Sequence, residues 1–403
     1  MRALIYGVLL AAATLGVAAH GQPAANASDA RVRARDLGIT IGTFTPGPLN
    51  AITDVDGVLV GHATIIRGEG PLVVGEGPVR TGVTAILPRK DVWFQGVYAA
   101  SHTLNGDGEM TGLHWVRDME TLVHPVLITN TGSVGAVHDA AVRYMTERHP
   151  TRSWATLPVV GETWDGQLND VRGRHVQFEH VAAAIDSAAS GPVAEGNVGG
   201  GTGMVCFRFK CGIGTSSRVL PADQGGYTIG VLVQANFGGR DQLRVDGVPV
   251  GRAITDLLPA VPEMAGGYPR EGSIIVVIAT DAPLSSRQLE RVARRAALGI
   301  SRTGGTAGNT SGDIILAFST ANVMPLNDPP RLFTQQMLAT DFVEPVFRAT
   351  VDATEEAILN ALMKGATMQG ADGRVVHELP YDRLAAIMQQ HGRTVRVPGA
   401  PQP

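Results

Sequence analysis

Apolar positions along the chain fall into two kinds of run. Continuous stretches rich in β-branched residues read as strands buried on both faces. They are Gly82-Val-Thr-Ala-Ile-Leu-Pro88, Val126-Leu-Ile-Thr129, Tyr227-Thr-Ile-Gly-Val-Leu-Val-Gln-Ala235, Ser273-Ile-Ile-Val-Val-Ile-Ala-Thr280 and Asp313-Ile-Ile-Leu-Ala-Phe-Ser-Thr-Ala-Asn322. Helical spacing appears at Val134, Val137, Ala141 and Met145, after Asn130-Thr-Gly-Ser133. Further helices are predicted over 176–188, 351–363 and 381–391. Another starts at Ser285 or Ser286 as N-cap, turns Leu289, Val292, Ala293 and Ala296 inward, and is expected to stop at Gly299. Asn50 to Gly61 reads as two short strands around an Asp-Gly turn, and a second strand pair is expected around Asp246-Gly247. Residues 30–45 read as polar, and the Pro-rich tail from Arg393 as frayed. Long apolar strands separated by amphipathic helices imply sheets covered by helices.

Composition narrows this picture. The chain has 403 residues, 44% apolar and 17% charged, with 50 Gly and 24 Pro, which fits a loop-rich α/β protein with a large core. A net charge of −4 with scattered Arg gives no electrostatic footprint for nucleic acid. Met1 to Ala27 reads as a secretory signal: Arg2, an apolar stretch from Leu4 to Ala19, and small-residue cleavage sites at Val17-Ala-Ala19 or Ala25-Asn-Ala27. The expectation is an exported, periplasmic protein with no membrane association once the signal is removed. In that compartment Cys206 and Cys211 could form a disulfide, or remain two buried thiols. Neither has a His pair at zinc-ligand spacing beside it.

Polar residues at the ends of apolar strands are the best candidates for chemistry, because the sheet holds them rigidly. Four places qualify: Glu162 to Asp165, Asn236, Ser273, and Ser311 with Asp313. Each alone has an ordinary reading as a turn residue or a paired carboxylate. Gly272-Ser273 is distinctive because a Gly- and Pro-rich loop, 264–272, runs straight into a rigid strand. Were the bond before Ser273 cut, the residue would carry a hydroxyl and a free α-amine. A terminal amine titrates near ~8, against ~10.4 for lysine, so at neutral pH it can act as the hydroxyl's own general base. The loop Asn197-Val-Gly-Gly-Gly-Thr-Gly203 could cradle phosphate, but it lacks the Lys-Ser/Thr ending of a P-loop, and close backbone packing is the default.

The combination resembles the L-aminopeptidase/D-esterase family, which includes the β-peptidyl aminopeptidases. The motifs that carry the resemblance run from about Ala34 to Gln389. They include Asn50-Ala-Ile-Thr-Asp-Val-Asp-Gly-Val, Arg80-Thr-Gly-Val-Thr-Ala, Gly161-Glu-Thr-Trp-Asp-Gly and Glu195-Gly-Asn-Val-Gly-Gly-Gly-Thr-Gly-Met. They continue with Gly212-Ile-Gly-Thr-Ser-Ser-Arg, Val233-Gln-Ala-Asn-Phe-Gly, Gly272-Ser-Ile-Ile-Val-Val-Ile-Ala-Thr-Asp-Ala-Pro-Leu and Gly312-Asp-Ile-Ile-Leu-Ala-Phe-Ser-Thr-Ala-Asn.

The resemblance implies an αββα sandwich, layered like the N-terminal nucleophile hydrolases but differently connected. It implies self-cleavage at Gly272–Ser273 into an α chain (28–272) and a β chain (273–403), assembled as a tetramer. Ser273 would be the nucleophile, Asn236 the oxyanion donor and Glu162 the receptor for the substrate's amine. Ser311 and Asp313 fall on the family's Ser-x-Glu pair, with Asp one methylene shorter. Trp164 falls where some members carry Tyr, and offers an indole N–H in place of a hydroxyl. Substrates would be short peptides, amino-acid amides or esters, and no metal or organic cofactor is required. Three rivals make different predictions. A related acyltransferase of the ornithine acetyltransferase kind self-cleaves at threonine, an exported binding protein would stay one intact chain, and a metallohydrolase would need an HExxH-like pair that the chain lacks.

Overall fold

The computed structural model describes residues 31–150, 157–260, 272–327 and 329–398; the expected signal segment lies outside the described residues. Strands β1 (Leu59–Arg67), β2 (Val79–Leu87), β3 (Gln95–Gly106), β4 (Thr121–Leu122), β5 (Val126–Asn130) and β6 (Val159–Thr163) come first. They are followed by β7 (Val205–Cys206), β8 (Phe209–Lys210), β9 (Ile213–Val219), β10 (Thr228–Phe237), β11 (Gly272–Thr280) and β12 (Gly312–Pro325). The helices are α1 (Leu113–Met119), α2 (Val134–Arg148), α3 (Phe178–Asp186), α4 (Val250–Ala253), α5 (Ser286–Arg302), α6 (Glu344–Met363) and α7 (Tyr381–Gln390). One sheet has the order β1-β2-β5-β6 and the other β4-β3-β12-β11-β10-β9, while β7 and β8 form a separate hairpin. Within the larger sheet only β11 and β12 run parallel.

The continuous apolar runs are explained by what each face meets. Along β11, Ile274, Val276 and Ile278 pack with Leu289, Val292 and Ala296 of α5 and with Ala353 and Ala357 of α6. The alternate residues Ile275, Val277 and Ala279 pack with Ile86, Val126 and Ile128 of the smaller sheet. On that sheet's far face, Val83, Ala85 and Leu127 meet Val137 and Ala141 of α2 and Val181 of α3. Both sheets are therefore buried on both sides, which removes the polar/apolar alternation of a half-exposed strand. The result is the expected αββα layering.

Several local expectations are corrected. Of the two strands expected in 50–61 only β1 exists; Ile52–Asp54 is a 3-10 turn whose Asp54 carboxylate accepts the N–H groups of Leu49 and Ala51. Around Asp246-Gly247 there is one isolated bridge, Val245 to Val248, and no strand pair. Helix α5 runs through Gly299 to Arg302, capped by Ser285 as expected. Gly299 marks a helix crossing instead of a stop, since a Cβ there would lie 2.6 Å from Cβ of Thr354 in α6. Residues 31–45 are not a polar lead-in: Ala34, Leu37, Ile39 and Ile41 are buried in the helix-side core. The tail is anchored as far as Arg396, whose N–H donates to Leu37 O at 2.8 Å. Cys206 and Cys211 are joined as a disulfide, with Cα atoms 5.7 Å apart.

The Asn50 motif turns out to serve a buried charge network. Asn50 stands at a positive φ of 47°, accepts Ser217 N–H and donates to Glu356. Glu356, wholly buried on α6, also receives Arg218 Nη2 at 2.6 Å and Arg35 Nε at 2.8 Å. Breaking a buried pair by removing one partner leaves an uncompensated charge, worth about 3–5 kcal/mol. Glu356→Ala is therefore expected to lower the free energy of unfolding by about that amount, read by denaturant titration. A loss below about 1 kcal/mol, the range of an exposed ion pair, would contradict this account of the network.

Candidate active site

Backbone pairing brings the distant candidates together. In the β10–β11 ladder Asn236 stands opposite Ser273 and Phe237 opposite Gly272. In the parallel β11–β12 ladder Ile274 stands opposite Asp313. The candidates Ser273, Asn236 and Asp313 thus meet at one end of the larger sheet. Asn236 lies inside β10, which continues to Phe237 beyond its expected end. Gly272 sits at φ +86°, and a Cβ on it would fall 1.7 Å from Asn236 O. No other residue fits there on grounds of both space and conformation.

Ser273 Oγ accepts the N–H of Gly312 at 3.1 Å. Ser311 Oγ donates to Asp313 Oδ1 at 2.7 Å, so the shorter carboxylate still reaches its serine. Both side chains are buried. The Asn236 amide has one possible orientation, because Val205 N–H (2.9 Å) faces its oxygen and Trp164 O (3.0 Å) faces its nitrogen. Trp164 therefore enters the site through its main-chain carbonyl. Its half-buried indole lies over Gly166, where a Cβ would be 2.4 Å from the ring.

Glu162 is buried at the end of β6, one strand position beyond Gly161, against which Ile275 of β11 packs. It lies within the strand, which continues to Thr163. Its Oε1 accepts Glu109 N–H at 3.0 Å, and its Oε2 accepts the Thr131 hydroxyl. Burial raises its pKa above the ordinary carboxylate value, while the Thr131 and Glu109 hydrogen bonds pull it back. Asp165, fully buried, is pushed up to about 7 by burial, against hydrogen bonds from Thr81, Asn169 and Asn130.

Sequence reasoning missed the end of β3 and the loop after it. Asn105 Nδ2 donates to the carbonyls of Gly308 and Ser311 at 2.6 Å each, and Asp107 N–H donates to Ser311 O at 3.2 Å. At Gly108 a Cβ would stand 2.9 Å from Gly312 Cα and 3.2 Å from Glu162 Oε1. This loop thus clamps the Ser311–Asp313 segment to Glu162. Its only sequence signal was the Asn-Gly-Asp-Gly run at 105–108, an ordinary turn pattern. The glycine-rich loop proves to be packing: Gly199 and Gly200 donate to Thr64 and Thr84 hydroxyls and Gly201 to Val198 O. A Cβ on Gly200 would lie 2.2 Å from Gln234 Oε1. Those amides are committed and cradle nothing.

A serine opposite Asn236, a hydrogen-bonded Ser–Asp pair and a buried carboxylate, set in an αββα sandwich, form the candidate site of a serine aminopeptidase of the N-terminal nucleophile kind. The profile of peptidase family S58 matches residues 50–376, and the chain belongs to that family. It is 49% identical over 375 residues to the beta-peptidyl aminopeptidase BapA of Sphingosinicella xenopeptidilytica, covering 91% of this chain and 93% of the relative. Among solved structures it is similar to the L-aminopeptidase D-Ala-esterase/amidase of Ochrobactrum anthropi, described as a prototype for the serine aminopeptidases and a variant of the Ntn hydrolase fold. That match has a TM-score of 0.82 and 46% identity, over 90% of this chain and 99% of that one. The beta-aminopeptidase of a Burkholderia species matches with the same TM-score of 0.82 and 46% identity, over 90% and 99% of the two chains.

Two pH effects follow. Below its raised pKa Glu162 is neutral and loses its attraction for an ammonium group, so KM for an amine-bearing substrate should climb as pH falls toward the carboxylate range. Glu162→Gln should raise KM at neutral pH and abolish that further climb; a KM that still climbs with falling pH in this variant would assign the effect to another group. For Asp165 the folded pKa of about 7 exceeds the unfolded value of about 3.9, so the folded state holds the extra proton between them. Its contribution to stability is full below about pH 4 and is lost as pH rises through about 7. Asp165→Asn should therefore flatten the decline in stability between pH 5 and 8, measured by chemical denaturation across that range.

Proposed function

We propose that the chain is a self-processing N-terminal serine aminopeptidase whose nucleophile is Ser273. The observation that carries the reading is the placement of Gly272-Ser273 opposite Asn236, with Gly272 in a left-handed conformation that only glycine tolerates. In the precursor the Ser273 hydroxyl attacks the Gly272 carbonyl, the C–N bond breaks, and the acyl group passes from nitrogen to oxygen. Water then hydrolyses the ester, leaving a Gly272 carboxylate and a Ser273 that carries both hydroxyl and free amine. Asn236 supplies an N–H to the oxyanion, a contribution of roughly 3–4 kcal/mol for one well-placed donor.

In the processed enzyme Ser273 attacks the carbonyl of the substrate's first residue while its own amine takes the proton. The amine returns that proton to the leaving group, and water releases the acyl-enzyme. Ser311 and Asp313 orient and polarise the nucleophile's amine. Glu162 receives the substrate's ammonium in a partly dry pocket, where a charge-assisted hydrogen bond is strongest. The substrates are short peptides, amino-acid amides or esters. β-Peptides are favoured within that class, because the curated relative with 49% identity is a beta-peptidyl aminopeptidase. Export to the periplasm after removal of residues 1–27, and assembly of processed units as a tetramer, complete the reading. The first rests on the apolar start of the chain and the second on the family resemblance.

Intact-mass measurement of purified protein is expected to give two fragments, the smaller beginning at Ser273 and ending at Pro403. Ser273→Ala should give one uncut, inactive chain. Wild-type protein that is active while uncut would overturn the proposal.

A further inference from the structure

Lys210 is an unexplained feature of this fold. It is fully buried in β8, and among the described residues no carboxylate lies within ion-pair distance of it. Its Nζ donates instead to main-chain carbonyls: Met204 O at 3.0 Å, Gly201 O at 3.5 Å and Cys211 O. Burial draws its pKa well below the ordinary lysine value, whereas three converging carbonyls match the three N–H bonds of an ammonium. In either protonation state the side chain donates to Met204. An apolar residue would fill the same space without the desolvation cost, so the donors are what the position requires.

The carbonyl that Lys210 holds belongs to the same peptide unit as Val205 N–H. That unit is planar, with C=O and N–H pointing in opposite directions. Val205 N–H points at Asn236 Oδ1, 2.9 Å away. One face of the relay is thus Lys210 Nζ–H to Met204 O, and the other is Val205 N–H to Asn236 Oδ1. A hydrogen bond accepted by an amide carbonyl makes that amide's N–H a stronger donor. The same effect then passes through the side-chain amide of Asn236 to its own N–H groups. The hairpin around the relay is fixed independently: Phe207 N–H donates to Phe237 O at 2.8 Å, and Arg240 holds Phe207 O at 3.0 Å and Arg208 O at 2.8 Å.

We propose that Lys210 is a positioning residue for the oxyanion donor, orienting and polarising Asn236 through the Met204–Val205 peptide. This rests on the reading of Asn236 as that donor. The test is a double-mutant cycle on processed enzyme of confirmed mass, with an amino-acid p-nitroanilide as substrate, using Lys210→Met, Asn236→Ala and the double variant. Lys210→Met alone should lower kcat by about tenfold or more with KM changed by less than about twofold, as for a group felt chiefly in the transition state. In the Asn236→Ala background it should lower kcat by less than about twofold, because the path it acts through is gone.

An equal fall in both backgrounds, or no fall in the single variant, would overturn the relay. Should Asn236→Ala itself leave kcat within about twofold, the oxyanion reading fails and the relay with it. Should Asn236→Ala lower kcat while Lys210→Met does not, only the relay fails. Lys210→Gln, which keeps a neutral donor, should retain more activity than Lys210→Met. If Lys210→Met does not accumulate folded, Lys210→Gln carries the cycle, its smaller fall in kcat expected to vanish in the Asn236→Ala background and a fall that persists there overturning the relay; if Asn236→Ala stays uncut, the same cycle is read on the rate of self-cleavage of the four precursors.

Discussion

The site depends on one backbone contact: the antiparallel register that lays Gly272 and Ser273 against Phe237 and Asn236. The Gly272 Cα lies so close to the Asn236 carbonyl that a side chain cannot be interposed. That closeness places the bond before Ser273 beside the residue whose amide would stabilise its tetrahedral intermediate. The same strand then hands Ile275 and Val277 to one core and Ile274 and Val276 to another, so Ser273 is anchored by both. A strand buried on both faces moves less than a loop, and catalytic geometry tolerates little looseness. Position, rather than an unusual side chain, distinguishes Ser273 from an ordinary turn serine.

What the sequence revealed, and what it hid, follows from the range of the interactions. β11, β12 and β10 were readable because double burial leaves an unbroken apolar run. The helices α2, α3 and α5 were readable because one apolar stripe faces a sheet. β3 was not, although it lies between β4 and β12, because Ser101, His102, Thr103 and Asn105 interrupt its pattern. Gly299 misled for a different reason: glycine serves both as a helix stop and where helices cross, and only the α5–α6 contact tells them apart. The candidates Ser273, Asn236, Ser311, Asp313 and Glu162 were nameable as strand-end polar residues. The loop from Asn105 to Glu109, which ties two of those positions together, was not, because its bonds to Gly308, Ser311 and Glu162 are with residues far away in the chain.

Trp164 and Asp313 show how a substitution within a motif can be absorbed. Trp164 contributes a main-chain carbonyl, which any residue possesses, so the absence of a phenolic hydroxyl leaves the hold on Asn236 intact. Asp313 is shorter than the Glu of the resembling pattern, yet its bond from Ser311 is formed, because residues two apart at the extended start of β12 share a face. Gly312 also supplies the N–H received by Ser273 Oγ, and a Cβ on it would lie 2.7 Å from Asp107 O. The segment therefore works as a backbone unit whose side chains are adjusted to it.

Backbone strain lies one layer behind the chemistry. Phe207 and Arg208, at the tip of the β7–β8 hairpin, both hold positive φ, 51° and 62°, where bulky residues cost on the order of 1–3 kcal/mol each. Such a turn persists only when its surroundings over-determine it. Here the Cys206–Cys211 bond, the two Arg240 hydrogen bonds and the Phe237 carbonyl do so together. The hairpin reaches Asn236 through the N–H of Val205, while the hydroxyl of Ser273 accepts the N–H of Gly312 instead. A side-chain amide left to itself can rotate or flip, and either motion would turn its donors away from the developing charge. A backbone N–H on a rigid hairpin removes that freedom beforehand, and for the oxyanion role proposed for Asn236 this is the physical content of preorganisation.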